Sequence, residues 1–169
     1  MGRNSLTTEY LKDCMADALI KLLKERSIDK ITVQQITETA GVGRATWFRN
    51  FSNKNEAISF RLVRLWEKWA EEHELKERRS FSIDNAETFF LYNYEIKDML
   101  LIIYQAGLQT SVYDAFYAIM VSENDDNPEE RYRNRFYSYG LFGLLDEWIK
   151  RGFSESPDEM AKTLRRIVT

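Results

Sequence analysis

Residues 32–51 read Thr32-Val33-Gln34-Gln35-Ile36-Thr37-Glu38-Thr39-Ala40-Gly41-Val42-Gly43-Arg44-Ala45-Thr46-Trp47-Phe48-Arg49-Asn50-Phe51, and the fold is decided there. Thr32 with Gln35 three positions on is a capping box: the hydroxyl accepts from the third helical N–H, and the glutamine reaches back to the threonine N–H. A short helix therefore starts after Thr32 and runs to about Ala40. Gly41-Val42-Gly43 turns the chain, and residues 44–50 form another short helix. Two short helices meeting across a three-residue, glycine-bearing turn are a helix-turn-helix. Val33, Ile36, Ala40 and Val42 fall on the inward face, and Ala45, Trp47 and Phe51 are expected to seat the second helix on its neighbours. That leaves Arg44, Thr46 and Arg49 to point outward. Side chains at the start of a recognition helix reach base edges in the major groove. An arginine there bonds guanine O6 and N7 together, and a threonine packs its methyl on thymine. Gln34 is placed to read adenine or touch phosphate. Helix pairs of this shape also occur in proteins that bind no DNA, and spacing alone leaves both readings open.

Working outward, apolar residues keep helical spacing almost everywhere. Leu11, Met15, Ala18, Leu19, Leu22 and Leu23 mark a helix over about residues 8–26, followed by a polar break at 27–30. Asn53-Lys54-Asn55-Glu56 caps a long helix through Ile58, Leu62, Leu65, Trp66 and Trp69 to about residue 76. Lys54 sits at the positive end of that helix's dipole, which is mildly unfavourable; a phosphate docked there would satisfy the lysine and the free N–H groups together. The charged residues 76–79 and Ser80-Phe81-Ser82 mark the boundary to the next element. Residues 84–87 start a segment through Phe89, Phe90, Leu91, Tyr94, Met99, Leu100 and Ile103, interrupted at Gly107. A helix over about 109–121 and an acidic loop at 122–127 follow. Asn127-Pro128 places a cap before a first-turn proline, starting a helix to about Arg151, with Gly152 as its stop. Ser156-Pro157-Asp158-Glu159 repeats the device for a last helix through Met160, Leu164, Ile167 and Val168. The expected fold is all-α with about nine helices: an N-terminal three-helix DNA-binding domain over residues 1–53 and a helical regulatory and dimerisation domain over 54–169.

Composition agrees. The chain has 169 residues, 44% hydrophobic and 30% charged, which reads as soluble and globular. Seven glycines and two prolines argue against a turn-rich β fold. No run approaches the roughly 18 apolar residues of a membrane span, and the polar N-terminus lacks the apolar core of a signal peptide, so the cytoplasm is the expected compartment. Cys14 is the single cysteine, which excludes an internal disulfide and a cysteine metal cluster, and His73 is the single histidine, which makes Ser-His-Asp or zinc-hydrolase chemistry improbable. No catalytic residue, metal site or cofactor is expected, and an enzyme ranks last. Cys14 reads as buried filler, His73 as solvated among Glu71, Glu72 and Glu74, and Arg131, Arg133 and Arg135 as a solvated helix face. Residues 1–64 hold 11 Lys+Arg against 7 Asp+Glu, whereas residues 65–169 hold 13 against 20. A basic front on an acidic body suggests that the N-terminal part alone meets a polyanion.

The stretch 31–58 resembles the N-terminal domain of the TetR/AcrR family of bacterial transcriptional regulators, through Ile31-Thr32-Val33, Ile36, Ala40-Gly41-Val42, Arg44-Ala45-Thr46, Phe51, Lys54 and Ile58. Residues 137–167, with Gly140-Leu141-Phe142-Gly143-Leu144, Trp148 and Ser156-Pro157-Asp158-Glu159, are similar to the short C-terminal domain of Firmicutes members. The resemblance implies a sequence-specific DNA-binding regulator, most often a repressor relieved by a small-molecule effector. It implies that Thr32, Phe48, Asn50 and Lys54 stand at phosphate-holding positions and Gln34, Arg44 and Thr46 at base-touching ones. Three residues depart from the family pattern. Phe48 stands where Tyr is usual and has no hydroxyl for a phosphate. Asn50 replaces the frequent His or Tyr, and Gly43 replaces a frequent Ser and offers only its backbone N–H. Fewer phosphate contacts weaken binding and flatten its salt dependence.

The resemblance also implies a homodimer through the last two helices, which brings Met160 and Leu164 into the seam. Spacing supports it separately: Phe136, Tyr139, Gly140, Gly143, Leu144 and Glu147 form one stripe. Each helical glycine costs about 1 kcal/mol against alanine, which a close helix–helix approach offsets. That approach can be to a second copy or to another helix of the same chain. A dimer presents two recognition helices to a near-palindromic duplex. Phe90, Tyr94, Tyr104, Tyr113, Phe116 and Tyr117 lie where the family encloses an effector, although aromatic residues at helical spacing read first as core. The alternative function is a coregulator that works through protein–protein contacts with weak DNA binding of its own.

Overall fold

Capping decides where several of the helices start. Thr32 Oγ1 accepts from Gln35 N at 3.2 Å while Thr32 N donates to Gln35 Oε1 at 2.9 Å, the complete capping box. Asn53 Oδ1 accepts from Glu56 N at 2.8 Å, and Ser52 N donates to Glu56 Oε2 at 2.7 Å. Asn127 Oδ1 accepts from Glu129 N at 3.0 Å, and Ser156 Oγ accepts from Glu159 N at 3.3 Å. The computed structural model describes residues 2–75, 86–120 and 127–168. Among them are nine α-helices and no strand: α1 (Gly2–Leu23), α2 (Val33–Ala40), α3 (Arg44–Asn50), α4 (Lys54–Glu72), α5 (Ala86–Glu95), α6 (Lys97–Gln105), α7 (Gln109–Met120), α8 (Pro128–Lys150) and α9 (Pro157–Val168).

Some boundaries differ from those expected. α1 begins well before residue 8, and the polar break holds a single 3-10 turn, Ile28–Lys30. The boundary at 76–82, the helix start at 84–85 and most of the acidic loop at 122–127 lie outside the described residues. The segment up to Gly107 is two helices, parted at Ile96 (φ −97°, ψ 13°) without glycine or proline. The bend is tertiary in origin: α5 packs on α9, whereas α6 packs on α8, α1 and α7.

α4 carries the N-terminal unit into the rest of the molecule. Its Ala57, Ile58 and Leu62 join Met15, Leu19, Ile31, Ile36, Trp47 and Phe51 in the core. α4 also packs along α7. Gly41, in the left-handed region at φ 67°, ends α2 and lets the chain reverse into α3. In the C-terminal half, Trp148 is 1% exposed and meets Phe90 (5.5 Å between ring centroids) and Phe153 (4.7 Å) edge-on. Its indole N–H donates to Glu155 O at 3.0 Å, which fixes the turn into α9.

Candidate nucleic-acid interface

α3 is seated by Trp47, 2% exposed, and by Phe51 just beyond it, 5.3 Å away between ring centroids. With this side fixed inward, a helix turning about 100° per residue presents Arg44, Phe48, Ala45 and Arg49 in that order across the opposite arc. All four are exposed. Ala45 therefore faces outward and does not seat the helix, and Thr46, expected outward, is half-buried. Thr46 and Phe48 lie equally far from Trp47 around the helix, and Thr46 falls on the side shared with Asn50, which is also half-buried.

Three polar residues of α3 are already engaged with their own helix. Arg49 Nε donates to Ala45 O at 3.2 Å, and Asn50 Nδ2 donates to Thr46 O at 2.7 Å. The Arg44 guanidinium lies 5.6 Å from the Phe48 ring centroid, and that ring is 61% exposed. On α2, Gln34 is exposed and donates to Glu38 Oε1 at 2.8 Å. Thr32 spends its oxygen as a cap acceptor and keeps its hydroxyl hydrogen to donate. Gly43 is the extended residue before α3 and supplies no side-chain cap.

Lys54 corrects an expectation. Its ammonium donates to Ile28 O at 2.8 Å and ties the 3-10 turn to α4. The N-terminus of α4 is also closed by Asn53 and by Glu56, so neither lysine nor helix end waits bare for an anion. Two of the basic residues are also engaged internally: Arg61 pairs with Asp17 (2.6 Å) and Asp13 (3.4 Å), and Arg64 lies within 4 Å of Glu9 and Asp13. Both arginines brace α4 against α1.

A second exposed surface runs along α8. Phe136 is 77% exposed and Tyr139 58%, with Gly140, Gly143 and Glu147 also exposed and Leu144 half-buried. A Cβ built on Gly140 or Gly143 meets nothing within 4 Å. Close packing against another described helix of this chain therefore does not explain the glycines. Met160 and Leu164, expected in the same seam, are a correction: with Ala161 they form the buried side of α9, which packs on α5. Tyr132, 78% exposed, extends the α8 stripe by one turn and was missed, although its i−4 spacing to Phe136 was readable.

The six aromatic positions read as a possible effector site do not meet in one cavity. The apolar cavity is lined by Leu62, Trp66, Tyr92, Asn93, Phe116 and Leu145 among others, so Phe116 alone of the six borders it. It encloses about 40 Å³, room for a few waters. Phe90 is packed solid against Trp148, and Tyr94 stacks on the same indole. Tyr104 donates to Asp146 Oδ1 at 2.9 Å; burial first, then this bond, hold its phenol well above the ordinary value. Tyr113 and Tyr117 sit on the outer side of α7, facing α8. The Tyr113 phenol, hydrogen-bonded with Tyr139, is pushed up to about 12, and Arg135 lies 4.4 Å from the Tyr117 ring centroid.

Cys14 is half-buried, not fully buried, and lies beside Tyr10. His73 is exposed and its ring stacks on Trp69 at 3.8 Å. Arg131, Arg133 and Arg135 are exposed along α8. Among the described residues no group of three or more His, Cys, Asp or Glu is arranged to hold a metal ion, and no helix is long and apolar enough to cross a membrane.

Two family models match the chain. One, described as bacterial regulatory proteins of the tetR family, covers residues 16–57, from within α1 into the first turn of α4. The other, described as a transcriptional regulator C-terminal region, covers residues 82–169. No curated protein matches the chain.

Proposed function

The chain belongs to the TetR family of DNA-binding transcriptional regulators, and on that premise we propose that it acts as a homodimer reading a near-palindromic operator through α3. The division of labour falls at the start of α4, with residues 1–53 reading DNA and 54–169 pairing the chains and carrying regulation. The observation that carries this reading is the outward arc of α3, with two arginines on a short helix seated by Trp47. Arg44 reads a guanine, while Thr32, the Gly43 N–H and Gln34 contact the backbone or a neighbouring base. Arg49, Asn50 and Lys54 reach phosphate with the donors they have not spent internally. Pairing runs through Phe136, Tyr139, Gly140, Gly143, Leu144 and Glu147.

The sign of regulation is repression, relieved by a small apolar molecule. The sign is what the family resemblance implies; the cavity beside α4 bears only on the effector, because Leu62 and Trp66, two of its lining residues, belong to the helix that leads back to α3. At about 40 Å³ it lies far below the roughly 300 Å³ of a ligand pocket, so an effector must displace Trp66 or Phe116 to enter.

Selection of bound sites from random duplexes, run in parallel on the native chain and Arg44→Ala, tests the reading. An enriched palindrome is expected, and Arg44→Ala should lose about 1–3 kcal/mol and blur one position per half-site. Affinity that stays in the non-specific range for every duplex would instead favour a coregulator working through protein contacts. The internal engagement of Arg49, Asn50 and Lys54 is the observation on that side.

A further inference from the structure

The centre of the α3 outward arc is apolar. Arg44 and Arg49 stand at its edges, and the Phe48 ring and Ala45 methyl lie side by side between them, all four exposed. Phe48 exposes 61% of its surface, and Trp47 and Phe51 already fill the inner side of the helix, so core packing does not account for the ring. With no hydroxyl, Phe48 gives a phosphate oxygen nothing to accept. Two flanking guanidiniums draw the helix toward a polyanion. The groove floor that such a helix meets is hydrogen-bonding throughout, apart from the thymine C5-methyl.

We propose that Phe48, with Ala45 beside it, is a specificity-determining residue that reads a thymine methyl at the middle of each half-site. Arg44, 5.6 Å from the ring, is held over its face and is thereby aimed at the neighbouring base. The half-site core is therefore a thymine next to the guanine read by Arg44. Thr46, half-buried on the flank of the helix, does not make this contact. The inference rests on α3 being the reading helix.

The test replaces each thymine of a selected duplex in turn with deoxyuridine, which removes the methyl and leaves every hydrogen-bonding group in place. Binding of the full chain is followed by fluorescence anisotropy. At one thymine per half-site the native chain should lose about fourfold, the effect of one buried methyl-sized group. Phe48→Ala should bind thymine and deoxyuridine duplexes alike, and Phe48→Leu should keep part of the discrimination. The ring is exposed, so circular dichroism of the variants should match the native chain. A native chain indifferent to deoxyuridine at every position overturns the proposal, as does a Phe48→Ala variant that keeps the full discrimination. In both of those cases the selected duplex, blurred by Arg44→Ala, still shows that α3 reads DNA. Failure to select any duplex, or selection unchanged in Arg44→Ala, overturns that reading, and this inference with it.

Discussion

α3 and α8 both hold aromatic rings out to solvent, and their neighbours set them apart. On α3 a single ring stands between two guanidiniums. On α8, Phe136 and Tyr139 stand beside two glycines whose missing side chains leave open space. Arginine beside an aromatic suits a charged polymer with a few apolar points. Glycine beside aromatics suits a second helix that must come close. Exposure alone assigns neither surface, and nor does a neighbouring arginine, since Arg135 stands one turn from Tyr139 as Arg44 does from Phe48; the glycines make the difference.

The largest expected effect tests whether the two surfaces rest on separate supports. Trp47→Ala removes the ring that seats α3, and a loss of about 3–5 kcal/mol is expected from the denaturant midpoint. Duplex binding should disappear with it. A near-native midpoint would mean that α3 is held by something other than Trp47.

Phe136→Ser combined with Tyr139→Ser probes the other surface. Phe136 is exposed and should change chain stability by less than about 0.5 kcal/mol, while Tyr139 gives up its bond to Tyr113 and should cost about 1 kcal/mol. Self-association, followed by sedimentation, should weaken at least tenfold, as removal of central aromatic anchors does. Undiminished association would move the seam elsewhere on the molecule.

A smaller effect sharpens the contrast because its two readouts move in opposite directions. Gly140→Ala and Gly143→Ala should each stabilise the monomeric helix by about 1 kcal/mol, while the added methyls weaken self-association. If both stability and association rise, the glycines are not there to admit a partner.

The smallest effect lies on the inner side of α8, where Tyr104 donates to Asp146. Burial and this bond raise the folded phenol pKa above its unfolded value near 10. The resulting stability is complete below about pH 10 and is lost as pH rises toward the folded value. Tyr104→Phe should therefore lessen the fall in stability above pH 10, seen in alkaline unfolding curves. An unchanged curve would remove Tyr104 from the account of how α6 is held to α8.

What the sequence disclosed follows from distance along the chain. The capping box at Thr32 and Gln35, the Asn53 cap and the Asn127-Pro128 and Ser156-Pro157 starts all act within four residues, and each appears where it was expected. The break at Ile96 carries no local signal, because it comes from α5 and α6 packing on different partners. Lys54 reaches Ile28 O, 26 residues away, and Arg61 reaches Asp17, 44 residues away, so no local window could show that both cations are already engaged. Ala45 lies nearly opposite Trp47 and so faces outward, whereas the burial of Thr46 depends on what packs beside Asn50 and not on its own register. Met160 and Leu164 were placed in the seam by the family resemblance, and their apolar spacing serves burial against α5.

The central claim is that α3 reads and α8 pairs. Native mass measurement of the complex on a selected palindromic duplex tests it most directly. Two native chains per duplex are expected, with that complex lost in the Phe136→Ser, Tyr139→Ser double variant at the same concentration. A single chain bound per duplex, or an undiminished two-chain complex in the double variant, would contradict it.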